Sequence, residues 1–371
     1  MTAGVPERVE LLDVQTIRDL ALGATLLGTG GGGDPRVGTL MALAAVREHG
    51  PVRLIGPDEV ADDGLVVPVA MIGAPTVILE RIPGGHELDL VMAGFERLVS
   101  QPVTATMPIE AGGINSTIPI VLAARRGLPV VDADGMGRAF PEVQMVTLGA
   151  GGAKSWPLVL ADESGDVVTL TAAADNAASE RLARAVVVGM GGSAVVAHYA
   201  VDAALLREWA VRHSVSLAVT IGRTLRRCRA AGLPASEALH ALGPVCGARR
   251  LFTGKIVDVR RSTAAGFVRG QLRLVGLDAD AGQPAEVDFQ NENLVLRRAD
   301  EVVAAVPDLI SVVEMDSGQP LTTEGMRFGL RVHVVGMPAS PLWWRPEALP
   351  LVEPRAFGYD IDPVRLEVAA R

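Results

Sequence analysis

Lysine is nearly missing from this chain. Lys154 and Lys255 are the only two, and arginine carries the remaining positive charge. No basic block occurs and the net charge is −9. Nucleic acid and anionic membrane surfaces both require clustered cations, so neither is expected as a partner. Aromatic residues are also scarce, at 4%, while apolar residues reach 49%. The core must therefore be built mainly from Val, Leu, Ala, Ile and Met. Cysteine is limited to Cys228 and Cys246, too few for a disulfide framework and wrongly spaced for a zinc motif. Long apolar runs are lacking too. The stretch 186–201 is interrupted by glycines and His198 and is too short to span a bilayer. Glu7, Arg8, Glu10 and Asp13 occupy the region where a signal peptide would be apolar, so a reducing cytoplasm is the expected location.

What remains is a 371-residue chain, long enough for about two domains and for a substantial core without staples. Residues 13–27 carry Ile17, Leu20, Ala21, Ala24 and Leu27 at helical spacing behind Asp13, a capping residue. A second helix is expected from Asp34, again a cap, with Pro35 at the favoured first position, to about His49. Strand-like runs at 52–55, 65–72, 103–109 and 130–131 alternate with helical patterns at 87–99 and 118–125. That alternation predicts an α/β N-terminal domain with a mixed sheet. Helical segments at 176–190 and within 198–228 follow. Beyond Leu251, short strands separated by turns predict a β-rich C-terminal domain. The expected division is 1–185, an α/β domain, and 186–371, a helical connection plus the β-rich domain.

Three glycine-punctuated segments could carry chemistry. Residues 28–33 hold five glycines and match G-x-G-x-x-G. A helix precedes them where the dinucleotide fingerprint needs a strand, and Asp34 would repel a phosphate at the following helix start. The structural alternative is a helix-to-helix turn with glycines at positive φ. Five glycines exceed what such a turn needs, so the amides of Gly30, Gly31 and Gly32 are expected to face a small ligand. Next, Glu110 stands at a strand end before Gly112 and Gly113, and Asn115 can cap the next helix. In α/β sheets ligands collect at the carboxyl ends of strands; a capped turn with a solvated Glu is the alternative. In the third segment, Asp132 and Asp134 directly follow Val130-Val131, with Arg138 close behind. Carboxylates two residues apart can face the same way on an extended chain and bind a hard metal ion, or share a proton. Arg138 could clamp a substrate carboxylate. A structural Asp–Arg pair is the alternative.

Signals elsewhere are weaker. Gln290 and Glu292, with Asn291 and Asn293, suit a turn between strands and also suit hydrogen bonds to a polar heterocycle. The six histidines form no H-x-H or H-x-x-x-H pair, and a lone histidine such as His198 is more often structural than a ligand. Ser193 lacks the G-x-S-x-G context of a serine hydrolase.

The glycine segment before Pro35, the segment Glu110 to Asn115, the stretch 127–142, Gln290 to Glu292 and Pro307 to Ile310 together resemble the S-methyl thiohydantoin desulfurase family, also catalogued as domain of unknown function 917. The resemblance runs through nearly the whole chain in order and is most specific over 127–142. It implies an α/β domain followed by a β-rich domain, and hydrolytic removal of sulfur from a thiohydantoin-type ring. It also implies a link to hydantoin and oxoproline metabolism. The alternatives are a non-catalytic partner subunit of a hydantoinase or oxoprolinase, with the glycine-rich surface as the interface, or a small-molecule binding protein without turnover. A hydantoinase- or oxoprolinase-type partner and a homo-oligomer are companion expectations.

The resemblance assigns no catalytic residue; the chemistry does. Water must attack an amidine-like carbon, with a base to activate it and an acid to assist the nitrogen or departing sulfur. Glu110, Asp132 and Asp134 are the candidates. Alternatively, Asp132 and Asp134, with Glu110 or a histidine, would hold a divalent metal, zinc or manganese, that generates hydroxide. Asn115 and the amides of Gly30, Gly31 and Gly32 would stabilise developing charge. Arg138, Gln290 and Glu292 would hold the substrate.

Overall fold

A computed structural model describes residues 6–74, 77, 81, 83–264 and 267–366. The first elements are β1 (Leu11–Leu12), α1 (Val14–Leu27), α2 (Pro35–His49), β2 (Val52–Ile55), β3 (Val66–Gly73), α3 (His86–Val99), β4 (Ala105–Met107), α4 (Ile118–Arg126), β5 (Val130–Val131) and β6 (Ala133–Asp134). Then come α5 (Thr147–Ala150), β7 (Leu158–Ala161), β8 (Val167–Leu170), α6 (Asn176–Gly189), β9 (Ser193–Ala197), α7 (Ala203–Trp209), β10 (Val211–Arg212), α8 (Ser214–Ala230) and α9 (Ala235–Cys246).

Local chemistry sets several of these boundaries. Asp13 accepts from the Thr16 amide at 2.8 Å, and Asp34 from Arg36 at 2.7 Å, so both expected caps form. The expected strand 103–109 contracts to Ala105–Met107 because Pro108 removes the next ladder donor. Helices α1 and α8 cross at glycines: a Cβ on Gly23 would lie 1.8 Å from the Ala218 carbonyl oxygen, and one on Gly222 the same distance from that of Asp19.

The first sheet has the order β1-β2-β5-β4-β3-β9-β7-β8. Strands β2, β5, β4 and β3 are parallel, while β9 pairs antiparallel with both β3 and β7. The sheet is thus mixed, as expected. Strand β9 is the part that apolar patterning hides: residues 186–201 are nearly all apolar, so no period marks where helix α6 gives way to strand.

The second sheet is entirely antiparallel. Its strands are β11 (Arg249–Ala264), β12 (Phe267–Gly276), β13 (Pro284–Gln290), β14 (Glu292–Arg298), β15 (Glu301–Ala305), β16 (Leu309–Glu314), β17 (Pro320–Leu321) and β18 (Arg331–Met337), in the order β15-β14-β13-β12-β11-β18-β16-β17. One face carries Phe252, Ile256, Leu272, Leu274, Val287 and Ile310 in a separate core. Residues Leu294, Val295, Leu309, Val335 and Trp343 instead join the core of the first domain. The two domains therefore share buried apolar surface, and the junction between them is fixed rather than hinged by a polar linker. No described helix is long and apolar enough to cross a membrane.

Candidate functional site

A cavity of about 100 Å³ opens where the glycine loop, the end of β4 and strands β3 and β9 meet the β13–β14 corner of the second sheet. Its lining includes Gly31, Gly32, Glu110, Asn115, His198 and Glu292. Five residues expected from the sequence thus converge, although Glu292 lies far from the others along the chain.

The glycine loop is built by close approach. Ile114 donates its amide to the Gly32 carbonyl at 2.8 Å, and a Cβ at Gly113 would come within 2.1 Å of that oxygen. The two glycine turns therefore pack backbone against backbone. A side chain at Gly31 would place its Cβ 2.0 Å from Glu292 Oε1, so the bare backbone there makes room for this carboxyl. The loop docks on the second domain through its carbonyls: Thr29 accepts from the Asn293 amide and Gly30 from the Thr323 amide, each at 2.8 Å. The Gly31 amide is engaged with the Gly28 carbonyl at 2.8 Å. The loop therefore departs from the expected amide cradle over Gly30, Gly31 and Gly32: at Gly31 the donor points back into its own turn.

Glu110 is almost fully buried beyond the carboxyl end of β4. Asn115 Nδ2 donates to its Oε1 at 2.6 Å. Asn115 is itself held by β3, accepting from the Met71 amide at 2.7 Å and donating to the Met71 carbonyl at 3.3 Å. The expectation that Asn115 caps the following helix is therefore corrected. Thr117 stands at that position, and Asn115 orients Glu110 instead. Burial pushes the Glu110 carboxyl up to about 7, against the pull of Asn115 and the Phe140 amide.

Glu292 opens β14, just after Asn291, whose φ of 55° turns the chain. Its carboxyl is buried and Oε2 has no hydrogen-bond partner. It is held well above the usual carboxylate range, first by burial and second by repulsion from Glu110; the Arg138 cation opposes this. Two carboxyl groups from different domains thus compete for protons in one cavity.

Arg138 does not face that cavity. It is fully buried and donates to the carbonyls of Ala139, Asn293, Pro307 and Asp308 and to Thr29 Oγ1, at 2.7–3.2 Å. Its guanidinium also lies 4.3 Å from the Phe140 ring centroid. These partners engage every nitrogen of the fork, so Arg138 binds the domains together and has no donor pair left for a substrate carboxylate.

Asp132 and Asp134 diverge as well. Asp132 accepts from the Ser216 amide at 2.9 Å and Ser216 Oγ at 2.7 Å, with His213 Nδ1 3.5 Å away. It satisfies the open first turn of α8 from outside that helix. Asp134 accepts from the Gly137 amide at 2.8 and 3.0 Å and is pushed up to about 8 by burial. Neither lines the cavity. Among the described residues, no group of three or more His, Cys, Asp or Glu side chains is placed to hold a metal ion. The Asp132–Asp134 pair does not fit the expected zinc or manganese, because its oxygens face amides on separate segments. Gln290 is buried at the end of β13 and does not line the cavity.

His198 is the residue that sequence reasoning misses. It follows β9 and lines the cavity together with Val196, two residues earlier on the same strand face. Its signal is positional: one polar residue closing an apolar run that begins after Gly191-Gly192.

Comparison with known proteins gives two family matches. The model described as S-Me-THD-like, N-terminal domain, matches residues 15–172, and that described as S-Me-THD-like, C-terminal domain, matches 174–366. The second match begins before β9, so the first sheet and His198 draw on both matched segments. A crystal structure of a protein from Chromobacterium violaceum, a structural-genomics target, superposes with a TM-score of 0.82 at 25% identity, covering 97% of this chain and 100% of that one. No curated protein matches the chain at a significant level.

Proposed function

Because the chain belongs to the S-Me-THD-like family through both of its domain models, we propose that it hydrolyses a small S-methylated thiohydantoin-type ring, with Glu110 as base and Glu292 as acid. The observation that carries this is the pair of buried carboxyl groups facing one small cavity, one of them with an oxygen that accepts no hydrogen bond. Groups of this kind whose proton affinities are pushed apart supply base and acid at the same pH. Because the two interact, the proton belongs to the pair. Its preferred seat is Glu292, whose Oε2 accepts no hydrogen bond, while Asn115 Nδ2 supports the ionised form of Glu110.

The reaction balances without further reagents. Water oxygen bonds to the ring carbon that carries sulfur, and Glu110 takes one water proton. Glu292 gives its proton to the ring nitrogen as the C=N bond becomes single. The C–S bond then breaks with its electron pair on sulfur, the proton held by Glu110 goes to the thiolate, and the adduct hydroxyl returns a proton to Glu292. The products are methanethiol and a ring carbonyl.

The test is methanethiol release from a 2-methylthio-imidazolone by the purified protein. Glu110→Gln and Glu292→Gln should each lower kcat about a hundredfold or more, the usual range for a general acid or base, with thermal melting preserved. Wild-type turnover in both variants would overturn the assignment. Tight binding of the ring by an inert wild-type protein would make this a binding protein.

A further inference from the structure

We propose that His198 contacts the bound ring as an uncharged hydrogen-bond partner, and that the site thereby selects neutral lactam- or imide-type rings over ligands that carry a carboxylate. The inference deepens the proposed hydrolase and rests on it for the location of the ring.

Three observations meet here. First, His198 is 2% exposed, lines the cavity, and has no hydrogen-bond partner at either ring nitrogen. A buried polar group left open in this way destabilises the fold, so such groups are rare and call for an explanation. The open cavity supplies one, since a ligand can fill what the protein leaves empty. Second, burial pushes the imidazole down to about 3, so it is neutral at any working pH and offers one N–H donor and one bare nitrogen acceptor. A ring amide, with its own N–H and C=O, is the complement of such a group; an ion is not.

Third, the charge around the cavity is unbalanced. Among the described residues, Glu110, Glu142, Glu292 and Glu324 line it, against a single cation, Arg184. That guanidinium already serves Glu180 and the Pro141 carbonyl. With Arg138 turned toward backbone carbonyls, a substrate carboxylate would meet carboxylates and no free cation among these lining residues.

Binding, rather than turnover, tests this. Hydantoin and hydantoin-5-acetate are titrated calorimetrically into wild-type protein, His198→Phe and His198→Asn. Hydantoin should bind wild type at least about tenfold more tightly than hydantoin-5-acetate. His198→Phe should weaken hydantoin binding about tenfold, the range for hydrogen bonds lost in a desolvated site. His198→Asn, whose amide keeps a donor and an acceptor, should recover part of that loss. The melting temperature of His198→Phe should hold or rise, because an unfilled buried polar group is removed; a purely structural histidine would lower it. The loss should be equal at pH 5.5 and pH 8. Wild-type affinity in His198→Phe, equal binding of the two ligands, or a loss confined to low pH would each overturn the proposal. Methanethiol release by wild type would survive such a failure, which separates it from failure of the hydrolase. An inert wild type that still binds hydantoin through His198 would remove the reaction and keep the contact.

Discussion

Asp132 and Asp134 lie two residues apart, one just after β5 and the other at the end of β6; Glu110 and Glu292 come from different domains. All four are buried. Burial also raises Asp134 as it raises Glu110 and Glu292. The pairs differ in what their oxygens meet. Asp132 fills the first turn of α8 and Asp134 accepts from Gly137, whereas Glu292 keeps an oxygen that accepts nothing, beside a cavity. A perturbed proton affinity therefore does not separate the carboxyl groups that line the cavity from those that do not. The proposed assignment rests instead on the unfilled oxygen of Glu292 beside the cavity.

The largest effect expected from this contrast lies outside the cavity, at Arg138. Arg138→Ala should lower unfolding free energy by about 3–5 kcal/mol, the usual penalty for breaking a buried charged network, as measured by denaturant titration. It strips partners from four carbonyls and Thr29 across the domain junction. Unchanged stability combined with lost affinity for a carboxylated ring would make Arg138 a substrate clamp after all and break the contrast.

Asp132→Ala should act in the same way on a smaller scale. Losing the acceptor for Ser216 at the start of α8 should cost about 1–2 kcal/mol, as other caps do, seen as a lower melting temperature. Turnover per folded molecule should stay within about twofold of wild type. A drop comparable to that of Glu110→Gln would return Asp132 to the chemistry.

Much of this architecture is legible in the amino-acid sequence. Asp13 and Asp34 cap where expected because capping depends on a few adjacent residues. Glu110, Asn115, Gly31 and Gly32 stand out by residue type and spacing, Glu292 only more weakly as part of a polar turn expected to hold substrate, and all five line one cavity. The roles of Asn115, Arg138 and Asp132 are not legible, because their partners lie at Met71, Pro307 and Ser216, contacts that no local pattern encodes. Adjacency favours Asp132 and Asp134 as a pair, while the partner that Glu110 meets is supplied by a β-hairpin corner in the other domain. His198 escapes for a related reason: its strand inserts between β3 and β7, and a lone histidine carries no spacing to read.

The pH dependence of folding sharpens the contrast with the smallest effect. Glu110 rises from an ordinary 4.5 to about 7, and Asp134 from 3.8 to about 8. Between those limits the folded protein holds protons that the unfolded chain has released. Stability from this source is thus complete below about pH 4 and is lost as pH rises toward 8. Each group contributes at most about 1.4 kcal/mol per pH unit inside its window. Asp134→Asn should make the decline in melting temperature between pH 5 and 8 shallower and leave the pH–rate profile where it was, with its rising limb set by ionisation of the Glu110–Glu292 pair. Glu110→Gln should flatten the same decline and also abolish turnover. If Asp134→Asn instead moved the rising limb, Asp134 would be coupled to the reacting pair, and a carboxyl whose oxygens are already occupied by the backbone would have to be counted among the reactive ones.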